Sequence, residues 1–288
     1  MSIINTNMSS LNAQRNLTKS ANELQTSMTR LSSGLRVNSS KDDAAGMSIA
    51  AKMDSQIRGM SQASRNANDG ISMIQTADGA LSNISDALQR MRELAVQAAN
   101  GTNGADETSN IDTEMVALND EISRIANSTK FNGIPLLSSA AAVTKSIQVG
   151  ADETQKIDVT FAKSTGYTGL TKNATMVDAA ADGTNPGTFD VSTTANAAKS
   201  ITNIDAALKS LNTERASLGT AQNRMGYAIS NLATSVENQS AAKSRIMDTD
   251  YAAETSKLSR AQVLQQAGTA MLAQANSAPN NVMSLLRG

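Results

Sequence analysis

The chain has 288 residues, with 25 Lys and Arg against 26 Asp and Glu, so no basic excess steers it toward nucleic acid or an anionic membrane. It contains no cysteine and no histidine, which removes disulfides, thiolate nucleophiles, sulfur-ligated metals, zinc-hydrolase chemistry and Ser-His-Asp catalysis together. Aromatic residues are 2% and tryptophan is absent, while 14 methionines accompany abundant alanine and leucine, a composition suited to thin helical seams rather than a thick globular core.

Met1 to Asn16 carries neither a cationic n-region nor an apolar h-region, and is not expected to be a cleaved secretory signal. Leu17, Ala21, Leu24, Met28, Leu31 and Leu35 then follow in steps of four and three, which predicts a coiled-coil seam. Gly34 interrupts it. Val37 to Asp43 is expected to be a joint, with Ser39 or Ser40, Asp42 and Asp43 offering capping oxygens to the helix beyond.

From Asp43 to Asn100 there is no proline, and apolar side chains return at helical spacing through Ile49, Met53, Ile57, Met60, Ala67, Ile71, Ile74, Leu81, Ile84, Leu88 and Met91. One helix on the order of 85 Å long is predicted. It has a single apolar stripe and so requires partners of similar length. A left-handed stop is expected at Asn100-Gly101, a polar turn over Thr102 to Glu107, and an antiparallel helix from Ser109 to Ser128.

Phe131-Asn132-Gly133-Ile134-Pro135 is rich in turn residues. Ile147 to Val149 and Ile157 to Phe161 alternate apolar and polar around Gly150 to Gln155, which predicts a β-hairpin. Ser164 to Ala198 is expected to be an exposed loop or a very small module. Helical spacing resumes at Ile204, Leu208, Leu211, Leu218, Met225, Ile229, Leu232 and Val236, and a thinner stripe follows at Leu258, Ala261, Leu264, Gly268, Met271 and Ala275.

The order is palindromic: heptad end, long helix, β/loop middle, long helix, heptad end. The fold class expected is mainly α, an elongated coaxial helical bundle and coiled coil of N- and C-terminal segments with a β-hairpin and small loop-rich region at the tip. The expected domains are 1–42 with 245–288, 43–163 with 199–244, and a stub over 164–198. Under-filled terminal helices suit a subunit that completes its core in an assembly, and heterologous contacts that never close produce a filament.

With these residues in view the chain resembles the bacterial flagellins. The likeness rests on Ile3-Ile4-Asn5-Thr6-Asn7, on Leu31-Ser32-Ser33-Gly34-Leu35-Arg36-Val37-Asn38-Ser39 with Lys41 to Gly46, on Gln89 to Gln97, on Phe131-Asn132-Gly133, on Gln222-Asn223-Arg224, on Gln265 to Gly268, and on Ser284 to Gly288. The resemblance implies a short flagellin that polymerises with itself, its paired termini forming an inner tube and its long helices an outer tube of the flagellar filament. It implies a secreted, extracellular protein carried uncleaved by the flagellar type III export apparatus. Further partners implied are a filament cap protein, hook–filament junction proteins, a flagellin export chaperone and a host Toll-like receptor.

The polymerisation seam expected is Leu17, Leu24, Met28, Leu31, Leu35, Leu258, Leu264 and Met271. Chaperone contact is expected at Leu258, Leu264, Met271, Leu285 and Leu286, and the receptor epitope at Arg90, Leu94 and Glu114. No catalytic, cofactor or metal site is expected, and no nucleic-acid binding or membrane insertion. The alternatives are a hook–filament junction protein and a cytoplasmic coiled-coil scaffold.

Overall fold

A computed structural model describes residues 6–137, 142–161, 168, 171–172 and 187–285. The described residues of Met1–Ile57 and Glu237–Gly288 form one compact unit, and Arg58–Val236 forms another. The chain is mainly α-helical, with short two-stranded sheets between its third and fourth helices.

In the terminal unit, α1 (Met8–Ser33) lies antiparallel to α5 (Tyr251–Leu285). Asn7 Nδ2 donates to the Ala275 carbonyl (2.7 Å), Ser27 Oγ donates to Glu254 Oε1 (2.7 Å), and Tyr251 OH donates to the Leu31 carbonyl (3.4 Å). Asn7 also caps α1, its side-chain oxygen accepting from Ser10 N. Along α1 the buried or half-buried positions are Ser10, Ala13, Leu17, Ser20, Ala21, Leu24, Ser27, Arg30 and Leu31; along α5 they are Glu254, Leu258, Ala261, Gln265, Gly268, Leu272 and Ala275. The α5 set advances in threes and fours, as a coiled-coil seam requires, and on α1 Ala21 and Arg30 widen the same stripe.

The seam differs from the all-apolar one predicted. Ser20 is buried beside half-buried Ala21, Ser27 stands where Met28 was expected, and Gln265 and Leu272 stand where Leu264 and Met271 were expected. Close approach is visible at one point: a Cβ on Gly268 would stand 3.0 Å from Leu17 Cδ1, so Leu17 packs there against a residue without a side chain.

Leu35 is not on the helix. α1 stops at Gly34, whose φ of 72 lies in the left-handed region that glycine enters at little cost. Leu35 instead forms a β-bridge with Asp248, flanked by Arg36 N to the Met247 carbonyl (2.6 Å) and Thr249 N to the Gly34 carbonyl (2.9 Å). Asp42 Oδ2 ties this joint together by accepting from Asn38 N, Ser39 N and Ser39 Oγ. Those donors, the Ser39 N–H foremost, hold the Asp42 carboxyl below its ordinary value. Asp43 is the residue that caps the next helix, α2 (Ala44–Ala98), through Gly46 N (2.8 Å). Within the same unit, Asp54 on α2 pairs with Lys243 on α4 (Thr194–Met247).

In Arg58–Val236 the inward face of α2 runs through Met60, Ala63, Ala67, Gly70, Ile74, Ala77, Leu81, Ile84, Leu88, Met91, Ala95 and Ala98, again in threes and fours. Its early positions are small, and its later ones carry the bulk. α4 answers with Ala197, Ile204, Leu211, Leu218, Met225 and Leu232, an unbroken seven-residue repeat in which every member is buried. The two helices are antiparallel, tied by Asp78–Arg215 (2.8 Å) and Arg92–Asp205 (2.6 Å). α3 (Ala105–Ser128) contributes Ile111, Met115, Ile122 and Ala126 to the same core.

α2 does not end on a left-handed residue at Gly101, as the sequence suggested. Asn100 N and Asn103 Nδ2 both donate to the Gln97 carbonyl, closing a turn that needs no positive φ. α3 starts at Ala105 rather than Ser109 because Glu107 reaches back to Gly104 N (3.0 Å) and satisfies a helix-start donor.

A tight hairpin pairs β1 (Lys130–Phe131) with β2 (Ile134–Pro135). Asn132 (φ 48) and Gly133 (φ 77) supply the two positive φ angles of its turn. The expected hairpin forms from β3 (Val143–Gln148) and β4 (Lys156–Phe161), antiparallel, with Ile157, Val159 and Phe161 facing the core. β5 (Thr171–Lys172) pairs in parallel with β6 (Thr188–Phe189). Much of the 164–198 stretch lies outside the described residues, and its last part is the start of α4. Thr193 caps that start, its Oγ1 accepting from Asn196 N (3.2 Å), and buried Asp190 braces it by accepting from Ser192 N, Ser192 Oγ and Asn196 Nδ2.

Candidate functional site

Two surfaces carry the residues singled out from the sequence. On the terminal pair, Leu17, Leu24, Leu31 and Leu258 are half-buried along the inner seam. Met28 (57% exposed), Leu264 (46%) and Met271 (65%) point to solvent instead, joined on this unit by Met8, Leu11 and Val263. Leu35 is in the joint. Leu285 is the last residue of α5, its side chain outside the described set, and Leu286 lies outside the described residues.

The two flanks of the pair differ in chemistry. One holds a groove of about 650 Å³ edged by Arg15, Lys19, Lys257 and Arg260. The other holds a groove of about 710 Å³ lined by Ala21, Leu24, Met28, Ser32 and Gln265. Between them, inside the seam, the Glu254 side chain is only 5% exposed and is bonded by Ser27 Oγ (2.7 Å) and Lys257 Nζ (3.1 Å). Burial by itself would raise this carboxyl. The Ser27 and Lys257 hydrogen bonds, with the Lys257 and Arg30 charges, outweigh burial and set it below the ordinary glutamate value. Sequence reasoning passed over Ser20, Ser27 and Glu254. The signal available was two serines seven apart on a helix whose leucines also recur at seven.

On the second surface, Arg90 bonds Glu114 of α3 (3.0 Å) and Glu93 one turn away (3.1 Å), leaving both Arg90 and Glu114 about half exposed. The Glu114 hydrogen bond is the main reason the Arg90 guanidinium holds its proton more tightly than usual. Leu94 is 2% exposed and packs in the core with Met91 and Ala95. The three residues therefore do not form one open patch: two are at the surface and the third lies beneath it. Arg92, two residues on and facing α4 instead of α3, is engaged with Asp205. Among the described residues no helix is long and apolar enough to cross a membrane.

Two family models match this chain: the bacterial flagellin N-terminal helical region over residues 4–142 and the bacterial flagellin C-terminal helical region over residues 201–286. A flagellin of Halalkalibacterium halodurans is 44% identical over 285 residues, spanning 99% of this chain and 100% of that protein. Flagellin C of Vibrio cholerae serotype O1 is 37% identical, spanning 98% of this chain and 99% of its own. Among solved structures, the crystal structure of Bacillus cereus flagellin is 34% identical, and the similarity covers 62% of this chain and 94% of that one with a TM-score of 0.48.

Proposed function

The chain belongs to the bacterial flagellin family and is a structural subunit of the flagellar filament, not an enzyme; from that premise we propose how it assembles, travels and is recognised. Copies pack through α1 and α5. The observation that carries this is the exposure of Met28, Leu264 and Met271 on a helix pair whose inner seam mixes leucines with serine, alanine, glycine, Gln265 and Glu254. Large apolar side chains at an exposed flank stabilise only when a neighbour covers them. In the filament, 1–42 with 245–288 lines the inner tube and 43–163 with 199–244 forms the outer tube.

Before assembly, the same α5 flank, with Leu258, Leu285 and Leu286, is the contact for an export chaperone, which shields it from aggregation. The subunit leaves the cell through the flagellar type III apparatus and is placed beneath a filament cap protein, beyond the hook–filament junction proteins. In a host, a Toll-like receptor engages the Arg90–Glu114 surface by charge-assisted contacts, with Leu94 supporting the surface from below.

Electron microscopy of the purified protein with and without short filament seeds tests the assembly reading. Long tubes with a central channel are expected, and a chain lacking residues 3–35 is expected to stay monomeric. Persistent monomers from the full chain, with no extension of seeds, would mean a junction protein instead. Ordered small oligomers would mean a scaffold.

A further inference from the structure

Asparagine is followed by glycine at Asn100-Gly101, Asn103-Gly104 and Asn132-Gly133, all within Arg58–Val236. Asparagine is a chemically labile residue, and a following glycine has no side chain to keep its main-chain nitrogen away from the asparagine amide. As sequence the three pairs are alike. The fold treats them differently.

Asn103 is half-buried, its side-chain amide is held by the Gln97 carbonyl (2.6 Å), and the Gly104 N–H is taken by the Glu107 carboxylate (3.0 Å). Asn132 and Gly133 both have positive φ (48 and 77), and the Phe131–Ile134 and Lys130–Pro135 pairs beside them hold that turn. Bringing the Gly133 nitrogen onto the Asn132 side chain requires rotation about the Asn132 Cα–C bond, which would open the hairpin. Asn100 has neither restraint. It is exposed, and its side-chain NH2 and the Gly101 N–H have no partner among the described residues. A Cβ on Gly101 would meet nothing within 4 Å. The one contact of the Asn100 side chain is Oδ1 accepting from Thr102 N (3.4 Å), which folds it back over the Gly101 peptide and draws electrons from Cγ.

We propose that Asn100 is a self-modifying site, converted by its own backbone and water to aspartate and isoaspartate. The Gly101 nitrogen gives its proton to water and attacks Asn100 Cγ. An N–Cγ bond forms, the Cγ–Nδ2 bond breaks, and ammonia leaves with a proton from water, giving a succinimide ring. A second water opens the ring. Attack at Cγ leaves an ordinary main chain and an aspartate, whereas attack at the Asn100 main-chain carbonyl routes the chain through Cβ and Cγ as isoaspartate. The net change is an amide and water becoming a carboxylate and ammonium, with no oxidant or reductant.

The product disturbs the turn that made it. α2 has no basic residue in its last turn, so a new negative charge just beyond its C-terminus meets the negative end of the helix dipole unopposed. Isoaspartate also adds a carbon to the main chain between Asn100 N, which donates to the Gln97 carbonyl, and Asn100 O, which accepts from Asn103 N. The inference concerns Arg58–Val236 and holds whether or not the chain polymerises. In the filament proposed above, the change accumulates with the age of the subunit.

The full chain is aged at mildly alkaline pH, with and without denaturant, and conversion at each of the three asparagines is followed by peptide mass mapping and enzymatic isoaspartate methylation. In the folded chain Asn100 is expected to convert roughly tenfold faster than Asn103 or Asn132, whose reaction waits on local opening. In denaturant the three rates should become equal. Glu107→Ala frees the Gly104 nitrogen and is expected to raise the rate at Asn103 several-fold while leaving Asn132 unchanged. The thermal midpoint of the aged chain should fall in step with isoaspartate and below that of Asn100→Asp, which adds the charge without the extra main-chain carbon. Conversion at Asn103 or Asn132 as fast as at Asn100 in the folded chain overturns the proposal. So does an Asn100 that converts only in denaturant, or the same ranking of the three with and without denaturant, since the fold would then not set the order.

Discussion

The core of Arg58–Val236 and the α1–α5 pair are built from the same heptad spacing and put it to opposite use. In the first, Leu81, Ile84, Leu88, Met91, Leu211, Leu218 and Met225 are all buried, and β4 closes the core with Phe161. In the second, the inner positions are largely small or polar, and the bulky side chains at Met28, Leu264 and Met271 are left in water. A seam of large residues makes a unit that stands alone, and a seam of small ones leaves the apolar surface for a neighbour. In the assembly proposed above, the first is the part of the subunit that folds by itself and the second the part that polymerisation finishes.

The contrast breaks most visibly under core truncation. Leu88→Ala is expected to destabilise Arg58–Val236 by about 3–4 kcal/mol, read as a large drop in the thermal midpoint, because a well-packed core collapses poorly around the cavity. Met271→Gln, the matching change on the terminal flank, is expected to leave the monomer midpoint nearly unchanged while lengthening the lag of seeded polymerisation several-fold. If Met271→Gln lowers the midpoint as Leu88→Ala does, the terminal flank is core after all.

Acid sharpens the same comparison. The Glu254 carboxyl is depressed in the folded pair, so its contribution is full above the unfolded glutamate pKa and is lost as pH falls through the lower folded value. Asp42 acts in the same direction at the joint, because its backbone donors favour the carboxylate. In the filament, amide protection of α1 and α5 is therefore expected to fall as pH drops below about 4, the carboxylate range, and to fall less steeply in E254Q. The smallest effect is expected at Arg90. Arg90→Ala breaks an exposed pair, should leave the thermal midpoint within experimental scatter, and is expected to reduce receptor signalling if the Arg90–Glu114 surface is the epitope.

Much of this was readable from the chain. A proline-free run with apolar residues every third or fourth position defined α2, and the seven-residue repeat from Ile204 through Leu211, Leu218 and Met225 to Leu232 defined α4, because long periodic segments average out local ambiguity. The Asp43 cap and the Asn132-Gly133 turn were legible because both are local chemistry. The inward rotation of α1 was not, because it sets Ser27 against Glu254, a pairing between residues 227 positions apart. The depth of Leu94 was hidden for a related reason: a motif shows which residues recur, while burial depends on what α3 and α4 lay over them. The Thr193 cap at the start of α4 is local chemistry, but the burial of Asp190, which braces it by gathering donors from Ser192 and Asn196, leaves no sign in a Thr- and Asp-rich stretch.

Hydrogen exchange measured by region, on the monomer and on the filament, tests the central claim most directly. α1 and α5 should exchange rapidly in the monomer and become strongly protected in the filament, while the buried faces of α2 and α4 within 58–236 are protected in both states. Equal protection of α1 and α5 in the two states would contradict it, since the terminal pair would then be complete without a neighbour.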